Sequence, residues 1–229
     1  MATIRSLALA IVMAVAVTGA AGCGLSPSDT PSAKDLYAQA RSAALSAKSA
    51  RMTGTIEQSG EKIKINLAGT VNGSNQKVVL TIPEQGTLTL LTVKKKLYLK
   101  GDKTYWTKAA NAKVAKAYAG KWVQVAASKA TDFGDLTITT VLTGMFKDKA
   151  LSTLASIASN VDKGTVAGVP AYIITSKFDK SGHLSVTADG SARLLQISST
   201  GTSSGALTFS DWNAIQAFRA PKASQVIKL

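Results

Sequence analysis

A period of two runs through most of the chain and limits the fold more than any other feature. Ile63, Ile65 and Leu67 alternate with Lys62, Lys64 and Asn66, between Gly60 and Asn72-Gly73, the pattern of a strand with one face buried and one face wet. Similar runs occupy 77–82, 87–93, 97–100, 104–106 and 122–125, and then 169–178, 183–188, 194–199 and 206–211. Short polar turns lie between them: Pro83-Glu84-Gln85-Gly86, a lysine turn, Gly101-Asp102, Lys180-Ser181-Gly182, Asp189-Gly190 and 201–205. Asp189-Gly190 is a strong hairpin signal. Alternation slips at Leu90-Leu91, which predicts a bulge or bend.

Three segments interrupt this pattern with helical spacing. Residues 33–50 are strong helix formers with Leu36, Tyr37, Ala40, Ala44 and Ala47 on one stripe and Ser32 as N-cap. Residues 108–119 form a helical insertion closed by Gly120. Leu142, Met145, Phe146, Leu151, Leu154, Ile157, Ala158 and Val161 keep a helical period across 142–161, entered irregularly near Gly144. No segment repeats at a fixed period and nothing between 33 and 229 reads as a linker. The expected fold is α+β: one domain in which a strongly curved antiparallel sheet, a half-barrel of roughly ten or eleven strands, wraps a few helices.

The N-terminus reads as an address. Arg5 precedes an apolar run from Leu7 to Val17, too short to cross a bilayer and the right length for a secretory signal. Ala20-Ala21-Gly22-Cys23 resembles a bacterial lipobox, which implies cleavage after residue 22 and acylation of Cys23; Ala20 stands where such motifs usually carry Leu. Residues 23–32 then form a lipidated tether and 33–229 the folded domain. The chain has 229 residues, 27 Lys+Arg against 13 Asp+Glu, and a net charge of +14. Removing residues 1–22 takes away only Arg5, so +13 stays with the domain. That excess suits a polyanionic surface.

Catalysis finds little to work with. One Cys and one His exclude disulfides and the common zinc sites, and no cofactor or metal is expected. His183 lies on the Ser185/Thr187 face of its strand, which reads as solvated, and no nucleophile elbow or nucleotide loop occurs. Asp132 and Asp135 around Phe133-Gly134 read as a cap. Lys94, Lys95 and Lys96, with Lys100, Lys103 and Lys108 close behind, are either an anionic-surface contact or a charged hairpin tip that protects an edge. Tyr98, Tyr105, Trp106 and Trp122 are interleaved with apolar residues as core positions are, so nucleic acid is not an expected partner. Asn72-Gly73-Ser74 reads as a turn.

Several stretches resemble the LppX/LprG type of actinobacterial lipoprotein, whose fold is similar to the periplasmic carrier LolA. They are the first helix with Ser49-Ala50-Arg51-Met52-Thr53-Gly54, then Lys96-Leu97-Tyr98-Leu99-Lys100, Gly120-Lys121-Trp122-Val123, and Val166-Ala167-Gly168-Val169-Pro170-Ala171-Tyr172. The resemblance covers most of the mature chain and implies a curved sheet able to enclose an apolar cavity for acyl chains, with glycolipid or lipid transport in some members. The candidate lining residues are Ile63, Ile65, Leu88, Leu90, Leu97 and Leu99 on the first strands. Phe146, Leu151, Leu154 and Ile157 follow on the helix, and Tyr172, Ile174, Leu195 and Ile197 on the last strands. These side chains line either a ligand cavity or a filled core.

Two functions follow. One is a membrane-anchored envelope lipoprotein, monomeric, on the extracytoplasmic face, that binds or shuttles a lipid or glycolipid. The other is a structural or interaction lipoprotein with a solid core, contacting cell-wall polymer or a protein through its basic face. An enzyme is not expected.

Overall fold

Backbone pairing decides where the strands fall. The computed structural model describes residues 30–58, 60–126, 136–147, 149–156, 158–178, 182–200 and 204–228; the signal, Cys23 and most of the tether, as well as Asp132, Asp135 and Ile157, lie outside them. From Pro31 onward the chain is a single compact unit. Helix α1 (Ala33–Ser46) starts at Ser32, whose Oγ accepts the Asp35 N–H at 3.1 Å. The spacing predicts helix to 50, but Ser49 already pairs with Thr70, so β1 (Ser49–Gln58) begins there. Ladder pairing on both flanks overrides the helix preference of Ala-Lys-Ser-Ala.

Strands β2 (Glu61–Thr70), β3 (Gln76–Ile82), β4 (Gly86–Val93) and β5 (Lys96–Gly101) follow as an antiparallel meander. The expected strand at 104–106 is instead helix α2 (Lys103–Ala109). Asp102 caps it through Oδ1, which accepts the Tyr105 N–H at 2.7 Å, while its Oδ2 accepts Thr87 N–H at 2.8 Å. Asn111 caps α3 (Ala112–Tyr118) in the same way through Val114 N–H at 2.9 Å, and Gly120, at φ 74, ends it as expected. Strand β6 (Trp122–Gln124) pairs with β5.

The third helical segment is shorter than its periodicity suggests. Helix α4 covers Ile138–Lys147 and α5 Lys149–Thr153, but Ser159–Val166 is strand β7, paired along its whole length with β8 (Val169–Ser176). The tight turn Ala167-Gly168, both at positive φ, folds β7 back onto β8, and Val161 faces Ile174. Strands β9 (Gly182–Thr187), β10 (Leu194–Ser199) and β11 (Gly205–Ser210) complete the return. The short β12 (Val226–Lys228) ends the described chain.

The twelve strands of the described residues form one open sheet in the order β12-β6-β5-β4-β3-β2-β1-β11-β10-β9-β8-β7. The chain therefore starts mid-sheet, winds out to one edge, restarts at the other edge with β7, and returns until β11 pairs with β1. Among the described residues only β12 runs parallel to its neighbour, β6. β7 and β12 were not anticipated, which takes the sheet beyond the expected ten or eleven strands.

The Leu90-Leu91 doublet carries no bulge. β4 keeps unbroken register with β3 and β5, and the two leucines face opposite sides. Leu90 joins the main core, whereas Leu91, with Val93 and Tyr98, packs under Trp122, Phe218 and Val226 on the convex side. The C-terminal segment thus covers the back of β4 and β5. The irregularity lies between Leu194 and Gln196 instead. It turns Leu194 inward with Ile197 and puts Leu195 on the convex face beside Val166, Ala171 and Ile173.

Candidate functional site: the concave face and its rim

Cross-strand register sorts the inward residues of β1 to β5 into rows. Met52, Leu67, Val78, Leu90 and Leu99 form one row, and Met52, Leu67 and Val78 are each 1% exposed. Helices α1 and α4 close this part, with Leu36, Tyr37, Ala40, Ile138, Leu142 and Phe146 buried in the same core and Tyr37 edge-on to Phe146 at 5.6 Å. The next row is Gly54, Ile65, Leu80, Leu88 and Gly101, and beyond it lie Ile56, Ile63, Ile82 and Gly86. The six aliphatic side chains of these two rows are only half-buried. The concave face is therefore sealed at one end of the strands and carries at the other a trough-like strip of partly exposed apolar side chains.

Helix α2 forms one wall of the trough. A Cβ on Gly101 would collide with the Tyr105 ring and reach Trp106 Nε1 at 3.0 Å, and one on Gly86 would meet Tyr105 N. The two glycines thus let α2 lie directly on the sheet. Tyr105, Trp106 and Tyr118 make a chain of edge contacts at 5.3 and 5.5 Å that ties α2 to α3. Burial pushes the Tyr105 phenol above its ordinary value. Trp106 Nε1 is buried and, among the described residues, has no acceptor. Elsewhere, the small residues of α1 leave a cavity of about 220 Å³ bounded by Ala44, Ala47, Leu194 and Trp212.

Most of the expected lining residues meet in one cluster. Leu90, Leu97, Leu99, Phe146, Leu151, Leu154, Ile174 and Ile197 are buried together, with Ile65, Leu88 and Tyr172 packed at their margin. Ile63 lies further out in the trough. Leu195 does not belong to it, because the irregularity in β10 turns that side chain to the convex face. Ile157 lies outside the described residues. Ile56, Leu80, Ile82, Tyr105 and Trp106 complete the trough and were missed, although the alternation Val78, Leu80, Ile82 was readable as one face.

Lys94, Lys95 and Lys96 are all exposed. Lys94 and Lys95 take φ of 50° and 63° in the turn closed by the Val93–Lys96 pair. This tip lies at the sealed end, about 16 Å along β5 from Gly101.

His183 is not simply solvated: Ser185 and Thr187 beside it are buried. Its ring nitrogens contact Gln196 Oε1 at 3.0 Å and Ser198 Oγ at 2.7 Å, and Gln196 Nε2 donates to Thr208 Oγ1 at 3.2 Å. A shallow groove of about 690 Å³ on this convex side is lined by Thr55, Glu57, Lys62, Ser198 and Thr208. Ser198 lies within the sheet, paired with both Ala206 and His183, so the ladder uses the neighbouring N–H groups that an oxyanion would need. Among the described residues no three metal-ligating side chains cluster, and no helix is long and apolar enough to cross a membrane.

No protein-family model matches the chain, and no curated protein matches it. Among solved structures, LprF from Mycobacterium bovis is 13% identical at a TM-score of 0.51, with 82% of this chain and 96% of that chain covered. The Mycobacterium tuberculosis lipoprotein LppX is 14% identical at a TM-score of 0.46, over 80% and 96%. MucB is 14% identical at 0.37, over 84% of this chain and 61% of that one. At this level of similarity the chain shares the fold of LprF, here an open curved sheet packed around its helices.

Proposed function

We propose that this protein is an exported envelope lipoprotein, anchored through acylated Cys23, that binds a lipid or other acylated ligand in the apolar trough of its concave face. The observation that carries this reading is the gradient of burial along β1 to β4, from 1% exposure at Met52, Leu67 and Val78 to the half-exposed Ile56, Ile63, Ile65, Leu80, Ile82 and Leu88. Six partly exposed aliphatic side chains side by side on an inward surface form a contiguous apolar patch of the kind that takes a ligand. The protein needs no chemistry for this task.

The test is organic extraction of the purified protein followed by mass spectrometry, together with titration of a pyrene-labelled fatty acid. Leu80→Glu should weaken uptake at least tenfold, since a carboxylate is costly beside an acyl chain, with urea unfolding run alongside to show that the variant stays folded although Leu80 packs against the core. Absence of co-purifying lipid, with uptake equal in both proteins, would sink the carrier reading and favour the solid-core interaction protein. Cys23→Ala should release the chain from membranes; retention there rejects the anchor.

A further inference from the structure

The basic excess is not spread evenly. Between Lys103 and Lys121 the chain carries five lysines, at 103, 108, 113, 116 and 121, and no carboxylate. All five are exposed, and among the described residues none pairs with an acid. Helices α2 and α3 hold them on one small unit, fixed by the Asp102 and Asn111 caps and by the Trp106–Tyr118 contact. Between the lysines the exposed residues are Ala, Gly, Thr and Asn only, so little bulk keeps the ammonium groups off a flat surface.

Position adds a second argument. The unit sits at the open end of the strands, where α2 walls the trough. Strand direction places the β8–β9 turn at that end as well, and there Phe178 is 88% exposed. Lysines, partly exposed Tyr and Trp rings, and a projecting Phe on one rim match the chemistry of a membrane interface, where cations meet headgroups and aromatics settle at their depth. The Lys94–Lys96 tip, at the other end, adjoins no half-buried apolar row.

We infer that the α2–α3 unit, with Phe178 on the same rim, docks on an anionic lipid bilayer and turns the open end of the trough toward the membrane. The docking does not depend on the trough holding a ligand. It stands or falls on binding to vesicles alone.

The experiment is co-sedimentation of the full chain carrying Cys23→Ser, which removes the acyl contribution from every sample, with vesicles of phosphatidylcholine alone or mixed with phosphatidylglycerol. Partition should rise with the anionic fraction and fall steeply between 0.1 and 0.5 M salt, an experimental range that spans strong to weak effective screening, from a Debye length of about 10 Å to a few Å. Replacing the five α2–α3 lysines by Gln should lower partition onto anionic vesicles at least tenfold with an unchanged melting curve, and Phe178→Ser should lower it about threefold. Lys94→Gln/Lys95→Gln/Lys96→Gln should change it less than threefold. Equal partition of the five-lysine variant, or a larger loss in the hairpin variant, overturns the assignment. So does retention on soluble polyphosphate without partition onto anionic vesicles, which would give the surface to a soluble polymer.

Discussion

Single side chains fix the turns of this sheet, and two of them make that measurable. Asp189 Oδ1 accepts from Thr187 Oγ1 at 2.6 Å, Ser191 Oγ at 2.6 Å and Ser191 N–H at 3.0 Å, and the Ser191 and Thr187 bonds pull its carboxyl down to about 2. Because the folded value lies below the unfolded one, near 3.9, the stabilisation is present above pH 4 and is lost as pH falls through about 2. Acid titration of the melting midpoint should show this component, and Asp189→Asn should remove it. The carboxylate is exposed, so the effect is small. The hairpin signal at Asp189-Gly190 was legible, but the loop spans 188–193 instead of two residues, because Thr187 and Asp189 close it through side chains. At the β4–β5 turn, two lysines occupy left-handed backbone that Asn-Gly fits better. Lys94→Asn/Lys95→Gly should therefore raise stability by about 1 kcal/mol in thermal or urea unfolding.

Elements depend on contacts that no local pattern announces. Gly54 looks like a weak point in β1, yet a Cβ there would run into the Ala206 carbonyl of β11. Gly54→Ala should cost about 2–3 kcal/mol, read from urea midpoints, because backbone cannot give way as a side-chain tip can. The C-terminal segment is a structural element despite its lack of regular structure. Asn75 clamps it, donating through Nδ2 to Phe218 O at 2.9 Å and accepting Phe218 N–H at Oδ1 at 2.7 Å, while Phe218 packs against the Leu91, Val93 and Tyr98 cluster. Phe218→Ala should destabilise by about 2 kcal/mol, less than a fully buried Phe, and leave fatty-acid uptake unchanged, since the concave face is on the other side. This segment explains Leu90-Leu91: a strand covered on both faces does not alternate.

At the scale of the molecule, the sheet, its mostly antiparallel pairing and its wrapped helices follow from what the sequence itself carries. Period-two runs with short turns permit few alternatives, and the scarcity of Cys and His limits the chemistry whatever the fold. The concave set from Leu90 to Ile197 was readable because inward residues are apolar by necessity. Long-range pairing settled the rest. Helical spacing across 142–161 gave way where β8 offered a partner to β7, and the expected strand at 104–106 became α2 once Asp102 met both Thr87 and Tyr105. Leu195 turned outward because one irregularity reverses the facing of a strand end. The trough itself is a tertiary property. Ile63 and Leu67 look alike in sequence, and only the placement of α1, α4 and α2 over the sheet buries one fully while leaving the other half-open, because burial depends on what arrives from distant parts of the chain.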